Sequence, residues 1–210
     1  MNRKEVCVQF GCGLSAPEGW YNYDNSPTLR IQRIPVFGKL LTRKRVTFPS
    51  NVSYADVLKG LPHQSDSIDK VYCSHVLEHL SFEDFHKAIK EVYRCLKIGG
   101  EFRLIMPSLR HIANAYVQSK DADASEKFMR DSLLGLETRP ISFVSKVMDS
   151  FSNRHHLWLW DEASTKRALI AHGFVDVKQI EFVQSEDSAF SAVQDETRFI
   201  NAVALTCFKS

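Results

Sequence analysis

The sequence predicts an α/β protein whose central strands run parallel, and residues 69–107 carry most of that prediction. Lys70–Cys73 is a short, mostly apolar run, typical of a buried strand. Ser81 then fits the cap of an amphipathic helix, and Gly99–Gly100 is typical of a helix end. A second apolar strand follows over residues 102–107. Strand, helix and strand at this spacing predict a right-handed parallel crossover.

Further strands are indicated before and after this unit. Two short strands are predicted to end at acids, and three prolines break the irregular or weakly helical residues 25–50. A polar linker between the last two strands is predicted to be mobile. In chain order the elements are strands at Glu5–Phe10, Trp20–Tyr23 and Val52–Tyr54, helices within 108–152, a helix from Asp161 to Ala171 stopped by Gly173, and strands at 174–183 and 199–208.

Composition and charge narrow the class of protein. The chain has 210 residues, 44% of them hydrophobic, which fits a single domain over 1–210. A net charge of +2 favours neither a nucleic-acid nor a membrane partner. The five cysteines show no CxxC spacing, so no disulfide framework or zinc ribbon is expected. No signal-like N-terminus or long apolar run is present, which predicts a cytoplasmic protein without a membrane span. The oligomeric state is left open.

Candidate site residues follow the first three strands. Gly11 and Gly13 come directly after the first strand, where glycine lets the backbone approach a ligand. Asp24 ends the second strand, where an acid can accept both hydroxyls of a ribose. Asp56 follows the third strand. Each acid alone fits a loop or a helix cap equally well, but their recurrence at successive strand ends favours a ligand site.

A polar cluster after the fourth strand completes this predicted edge and carries a family resemblance together with four other segments. These segments are Ser74-His75-Val76-Leu77-Glu78-His79-Leu80, Glu91 to Gly100 (EVYRCLKIGG), Met106-Pro107, the approach Leu61 to Asp69, and His156 to Phe174. In these residues the sequence resembles class I S-adenosylmethionine-dependent methyltransferases of the type 11 branch. This resemblance implies a Rossmann-like, mostly parallel seven-stranded sheet with an antiparallel last strand, and S-adenosylmethionine as cofactor.

The resemblance also implies roles for individual residues. His75 is the first candidate for a general base, with His155 and His156 as alternatives, and residues 108–152 would form a helical lid over the acceptor. The implied cofactor contacts are Gly11, Cys12 and Gly13 at the methionine and ribose, Asp24 at the ribose hydroxyls, Asp56 at the adenine amino group, Val57 on the adenine ring, and Ser74 and His75 on the acceptor side.

One stretch departs from the family pattern. Only ten residues separate Gly13 from Asp24, which is too short for a three-turn helix and a strand. Ser15 also stands where the family has a third glycine. The first helix is therefore expected to be shortened, and the amino-acid end of the cofactor to be bound in an unusual way.

A metal site is the main rival interpretation of the polar cluster. His75-Val76-Leu77-Glu78-His79 satisfies the inverted zinc-protease pattern HxxEH. That pattern needs both histidines on one face of a regular helix and a further acidic ligand. Here they flank a strand end, so no metal is expected, and Glu78 and His79 are expected to bond backbone near the helix start.

The predicted function is methyl transfer from S-adenosylmethionine to an unidentified small-molecule or glycan-like acceptor. One alternative is a degenerate, non-catalytic protein that binds the cofactor without turnover. Another is an interaction module that uses a basic stretch within residues 30–45, although such a stretch is more often a solvated face. Its basic residues are Arg30, Arg33, Lys39, Arg43, Lys44 and Arg45.

Overall fold

The structure is a computed structural model that describes residues 4–34, 47–137, 155–182 and 187–210. Its strands are β1 (Cys7–Phe10), β2 (Trp20–Asp24), β3 (Val52–Tyr54), β4 (Ile68–Ser74), β5 (Leu96–Pro107), β6 (Phe174–Gln179) and β7 (Ala202–Lys209). Its α-helices are α1 (Pro27–Gln32), α2 (Phe82–Cys95), α3 (Leu109–Gln118), α4 (Ala124–Ser132), α5 (Glu162–Ala171) and α6 (Ser188–Ser191). Short 3-10 turns lie at Leu77–His79 and Glu196–Arg198.

All seven strands form one sheet in the order β3-β2-β1-β4-β5-β7-β6. The pairs from β3 to β5 are parallel, whereas β7 runs antiparallel to both β5 and β6. This confirms the predicted Rossmann-like α/β fold with an antiparallel last strand. The carboxyl ends of β1, β2 and β4 meet at one edge, where such folds bind ligands.

The crossover from β4 through α2 to β5 is confirmed, with one correction at the end of the helix. Ser81 caps α2 by accepting a hydrogen bond from the Asp84 N–H at 3.2 Å. The helix ends at Cys95, before the glycine pair, because Leu96 turns into an extended conformation and pairs with Ile68. Gly99–Gly100 therefore lies within β5 and does not stop α2.

The connection between β1 and β2 contains no helix, since residues 11–19 form only turns. The face of the sheet opposite α2 is covered instead by residues 187–199, named here the cover segment. Phe190 of this segment is fully buried, 5.8 Å from the Trp20 ring, with the Arg103 guanidinium 3.8 Å from its own ring. The prediction of a mobile linker is wrong for these residues, because this one aromatic side chain anchors them to the sheet.

Helices α3 and α4 follow β5, as predicted for the first part of residues 108–152. Ser108 caps α3 by accepting a hydrogen bond from the His111 N–H at 3.2 Å. The rings of Tyr116 and Phe128 pack 5.4 Å apart between the two helices. The remainder of the predicted lid lies outside the described residues, and its role as a lid stays a prediction, as does the single domain over 1–210.

Candidate functional site

The turn after β1, residues 11–15, is named here the glycine turn and lies against the end of β4. Gly11 has a φ of +64°, and a Cβ placed there would lie 2.2 Å from Val76 Cγ2. Gly13 has a φ of +55°, but a Cβ there would meet no atom within 4 Å. Gly11 is therefore required by both conformation and close packing, whereas Gly13 leaves its backbone open to an approaching ligand.

Asp24 joins the end of β2 to the glycine turn. Its Oδ2 accepts a hydrogen bond from the Gly13 N–H at 2.9 Å, and its Oδ1 accepts one from the Ser26 N–H at 2.8 Å. Each oxygen keeps a second lone pair for a ligand donor. Asp24 thus shapes the turn and still has acceptor capacity at the binding edge.

The first of two cavities at this edge has a volume of about 640 Å³ and lies between the glycine turn and the cover segment. The hydroxyls of Ser74 and Tyr72 are both buried and interact with each other, and neither has a further hydrogen-bond partner among the residues that the structure describes. Tyr72 and Arg198 also line this cavity, although the sequence singled out neither. The predicted residues on its wall are Gly11, Cys12, Gly13, Ser74 and His75.

The second cavity has a volume of about 480 Å³ and shares Gly11 and His75 with the first. Asp24, Asp56 and His79 lie on its wall. The glycine turn, two strand-end acids and part of the polar cluster thus surround one pair of adjoining cavities. This agrees with the juxtaposition that the sequence predicts.

Two of the predicted adenine contacts are engaged within the protein. Asp56 accepts a hydrogen bond from the Leu58 N–H at 3.0 Å and lies 3.3 Å from the Lys59 ammonium. The Val57 side chain is buried in the main core and lines neither cavity. Asp56 lines the second cavity, and the contacts of Asp56 with an adenine amino group and of Val57 with the ring stay predictions.

The basic stretch of residues 30–45 is described only at its start. Arg30 lines the second cavity, with its guanidinium 5.0 Å from the Tyr54 ring. Arg33 donates hydrogen bonds to the carbonyls of Pro49, Ser50 and Val52, so it has a structural role. The other four basic residues lie outside the described residues.

Glu78 is buried in an unusual way at the end of β4. It is 1% exposed, and neither carboxylate oxygen has a hydrogen-bond partner within the described part of the chain. His75 Nδ1 and His156 Nε2 lie 3.5 and 4.0 Å from Glu78 Oε1, without forming hydrogen bonds. Burial raises the pKa of Glu78 to about 8. The N–H of Glu78 itself acts on the carboxylate and lowers its pKa, and the expected hydrogen bond from the side chain to backbone near the helix start stays a prediction.

Backbone carbonyls fix the orientation of three histidine rings around Glu78. His75 Nε2 donates to the Arg198 carbonyl at 3.0 Å, and His79 Nδ1 donates to the His155 carbonyl at 3.0 Å. His156 Nδ1 donates to the Ser132 carbonyl at 2.8 Å. Since a carbonyl can only accept, these nitrogens carry the protons and the opposite ring nitrogens are free acceptors.

These orientations bear on the predicted general bases. Burial lowers the pKa of both His75 and His156, which favours neutral imidazoles at neutral pH. As placed, His75 directs one nitrogen at Glu78 and the other at a carbonyl, so its role as a base stays a prediction. The segment that contains His155 and His156 is held next to the end of β4, because the Leu157 N–H donates a hydrogen bond to the Glu78 carbonyl at 2.8 Å.

Comparisons with known proteins agree with this architecture. Residues 8–104 match the family model described as a methyltransferase domain. No curated protein shows a significant match to the sequence. Among the chain's helices, none in the described residues has the length and apolar character needed to cross a membrane.

Solved structures share the fold at low sequence identity. A Thermotoga maritima S-adenosylmethionine-dependent methyltransferase is 15% identical, with a TM-score of 0.51 over 100% of this chain and 84% of that one. Phosphoethanolamine N-methyltransferase 2 of Haemonchus contortus, in complex with S-adenosylmethionine, is 15% identical, with a TM-score of 0.50 over 100% of this chain and 49% of that one. A chain of the Haloferax volcanii complex between the Trm112 methyltransferase activator and a methyltransferase is also 15% identical, with a TM-score of 0.50 over 98% and 83%.

Residues 8–104 therefore match a methyltransferase domain, and the chain shares its fold with solved S-adenosylmethionine-dependent methyltransferases. Enzymes of this class transfer a methyl group from S-adenosylmethionine to an acceptor. The match covers the parallel part of the sheet, from β1 into β5.

Proposed function

We propose that this protein transfers a methyl group from S-adenosylmethionine to a small-molecule or glycan-like acceptor, in the cytoplasm. The observation that carries the proposal is the pair of adjoining cavities at the carboxyl edge of the sheet, which share Gly11 and His75 as a wall. The residues present fit the cofactor, because the Gly13 backbone is open and the buried hydroxyls of Tyr72 and Ser74 have no partner beyond each other among the described residues.

The two cavities offer different chemistry to the two ends of the cofactor. Asp24 and Asp56 would hold the adenosine part, since carboxylates accept hydrogen bonds from ribose hydroxyls and an adenine amino group. The glycine turn and Arg198 would hold the amino-acid part, where the guanidinium complements a carboxylate. Bound S-adenosylmethionine would supply the methyl group on an already activated sulfonium.

The protein's contribution to the reaction is then mainly alignment. Well-oriented reactants reach effective molarities of ~10⁵–10⁸ M, and a general base adds a factor of ~10²–10⁴ where the acceptor is a hydroxyl. His75 is the first candidate for such a base, with His155 and His156 as alternatives. Helices α3 and α4 would cover the acceptor, since the carbonyl of Ser132 at the end of α4 holds His156.

Calorimetry with S-adenosylmethionine and S-adenosylhomocysteine tests the proposal without knowledge of the acceptor. The wild-type protein is expected to bind both. Asp24→Ala should bind at least about tenfold more weakly, a loss of about 1.4 kcal/mol, because it removes an acceptor and releases the glycine turn. Asp121→Ala, at an exposed acid far along the chain, is the matched control and should bind as the wild type does.

Two outcomes would contradict the proposal. Absence of binding at millimolar ligand would exclude both the methyltransferase and the non-catalytic cofactor-binding alternative. Binding without methyl transfer across a panel of acceptors would favour the non-catalytic alternative. An Asp24→Ala protein with unchanged affinity would remove Asp24 from the site.

A further inference from the structure

Glu78, His79 and His156 are named here the Glu–His cluster. One ligand atom of each lies within 4.8 Å of the ligand atoms of the other two. Glu78 and His156 are buried, whereas His79 is half-buried and lines the second cavity. The cluster is therefore enclosed by protein on one side and reachable from the cavity on the other.

The Glu78 carboxylate needs a partner that the described residues do not supply. Both of its oxygens are buried and without hydrogen bonds to the described part of the chain. A buried polar group without a partner destabilises the folded state, and more so when it is charged, so folded proteins almost always provide one. Two imidazole nitrogens lie within 4.0 Å of the carboxylate, and among the described residues the Arg198 guanidinium acts on it only as a charge, without an ion pair. A bound cation would complete the arrangement.

The two histidines of the cluster are oriented as metal ligands are. Histidine that binds a metal through one ring nitrogen almost always donates the other N–H to a carboxylate, a carbonyl or water. His79 Nδ1 and His156 Nδ1 donate to the carbonyls of His155 and Ser132. The Nε2 lone pair of each ring is therefore left to bind, and His156 Nε2 lies 4.0 Å from Glu78 Oε1.

We propose that the Glu–His cluster binds a divalent first-row transition cation, for which imidazole and carboxylate are suitable ligands. Such a cation takes its ligands at about 2.0–2.2 Å, which places them roughly 3.3 Å apart. The three ligand atoms now lie within 4.8 Å of one another, so small movements of the side chains would be needed to reach that spacing. Three protein ligands are typical of catalytic sites, which leave a position open for water or substrate. Here that position would face the second cavity.

This site differs from the one that the HxxEH pattern suggested. The pattern would use His75 and His79, whereas the fold supplies His156 as the second imidazole. His75 Nδ1 lies 3.5 Å from Glu78 Oε1 and is a further candidate ligand for the cation. The HxxEH pattern was disfavoured because His75 and His79 do not share a regular helix. The cluster does not need a shared helix, because His156 comes from a distant segment. Binding of the cation does not depend on the proposed methyl transfer.

Cobalt titration of the tag-free full chain, stripped with a chelator, tests the site directly. We expect one equivalent of Co²⁺ to produce visible d–d absorption, and one equivalent of Zn²⁺ to displace it and to raise the melting temperature. Glu78→Gln and His156→Asn should each weaken Co²⁺ binding by at least tenfold. His111→Ala, which removes an exposed histidine outside the cluster, should bind as the wild type does.

The controls separate metal binding from folding. Glu78→Gln keeps the side-chain shape, and its melting temperature in excess chelator should be close to that of the wild type, since an amide of nearly the same size replaces the carboxyl. A wild-type protein that binds neither Co²⁺ nor Zn²⁺ would overturn the proposal. Unchanged binding in both cluster variants, or an equal loss in His111→Ala, would overturn it as well. Since no methyl donor is present, failure here leaves the calorimetric test of the proposed function unaffected.

Discussion

Gly11 and Val76 lie so close that a Cβ atom at position 11 would clash with the Val76 side chain and disrupt the glycine turn. The contact joins the turn after β1 to the residue two positions beyond β4, and both residues border the proposed site. Glycine at this position is predictable from the sequence, because a turn that approaches a ligand favours it. The contact with Val76 is not predictable, since it depends on how β1 and β4 align in the sheet.

Gly11→Ala is expected to destabilise the protein and to abolish binding of S-adenosylhomocysteine. Its Cβ would lie 2.2 Å from Val76 Cγ2, in addition to the strain of a φ of +64°. Gly13→Ala has comparable backbone strain, about 1–2 kcal/mol, but no contact, so it should be the milder change. Adding Val76→Ala to Gly11→Ala should restore part of the stability. Urea unfolding and calorimetry measure both effects, and equal losses in the two single variants would contradict the packing argument.

Two other contacts show what the sequence cannot predict at the scale of residues. Asp24 is predictable as a site acid, because it ends a strand at the binding edge. Its hydrogen bond to the Gly13 N–H is not predictable, since nothing in the local pattern fixes the shape of a turn that lacks the usual helix. The proximity of His156 to Glu78 is equally hidden, because the two lie on segments far apart in the chain.

At the scale of elements, local pattern predicted the parallel strands well and the cover segment poorly. The strands are short apolar runs between turn residues, and β2, β3, β4 and α2 lie within a few residues of their predicted positions. The cover segment is polar apart from a few side chains, so its composition indicates a loop. It is buried because Phe190 packs on the face of the sheet that has no helix from the short β1–β2 connection.

Phe190→Ala is expected to destabilise the protein by about 3–5 kcal/mol, the usual cost of removing a fully buried phenylalanine. The loss should be large because the ring packs against Trp20 and the Arg103 guanidinium. Ile200→Ala, at a side chain that is 65% exposed, is the control and should change stability by no more than about 0.5 kcal/mol. Urea unfolding of both variants measures the difference, and a loss below about 1 kcal/mol in Phe190→Ala would show that the segment is not anchored in this way.

At the scale of the whole molecule, the proposed site combines two distant parts of the chain. The glycine turn forms one wall of the first cavity, and residues 192–198 of the cover segment form the other. The sequence predicted the first wall from its motif and offered no signal for the second. Long-range placement of this kind follows from the sheet order, in which β7 lies between β5 and β6.

Binding of S-adenosylhomocysteine should therefore slow amide hydrogen exchange in both walls at once. We expect protection in peptides that contain the glycine turn and in peptides that contain residues 192–198, because a ligand in the first cavity would contact both. Residues 119–125, between α3 and α4, serve as the internal control and should exchange at an unchanged rate. Protection of the glycine turn alone would place the ligand away from the cover segment.

The short β1–β2 connection has a further consequence for how this protein can be divided. The methyltransferase domain match ends at residue 104, yet β5 pairs with β7 from Glu101 to Pro107, and Phe190 covers one face of the sheet. A fragment cut at that point would present an unpaired strand edge and a bare apolar face, both of which promote association between chains. The matched segment is thus a recognisable unit of sequence but not a separable unit of folding.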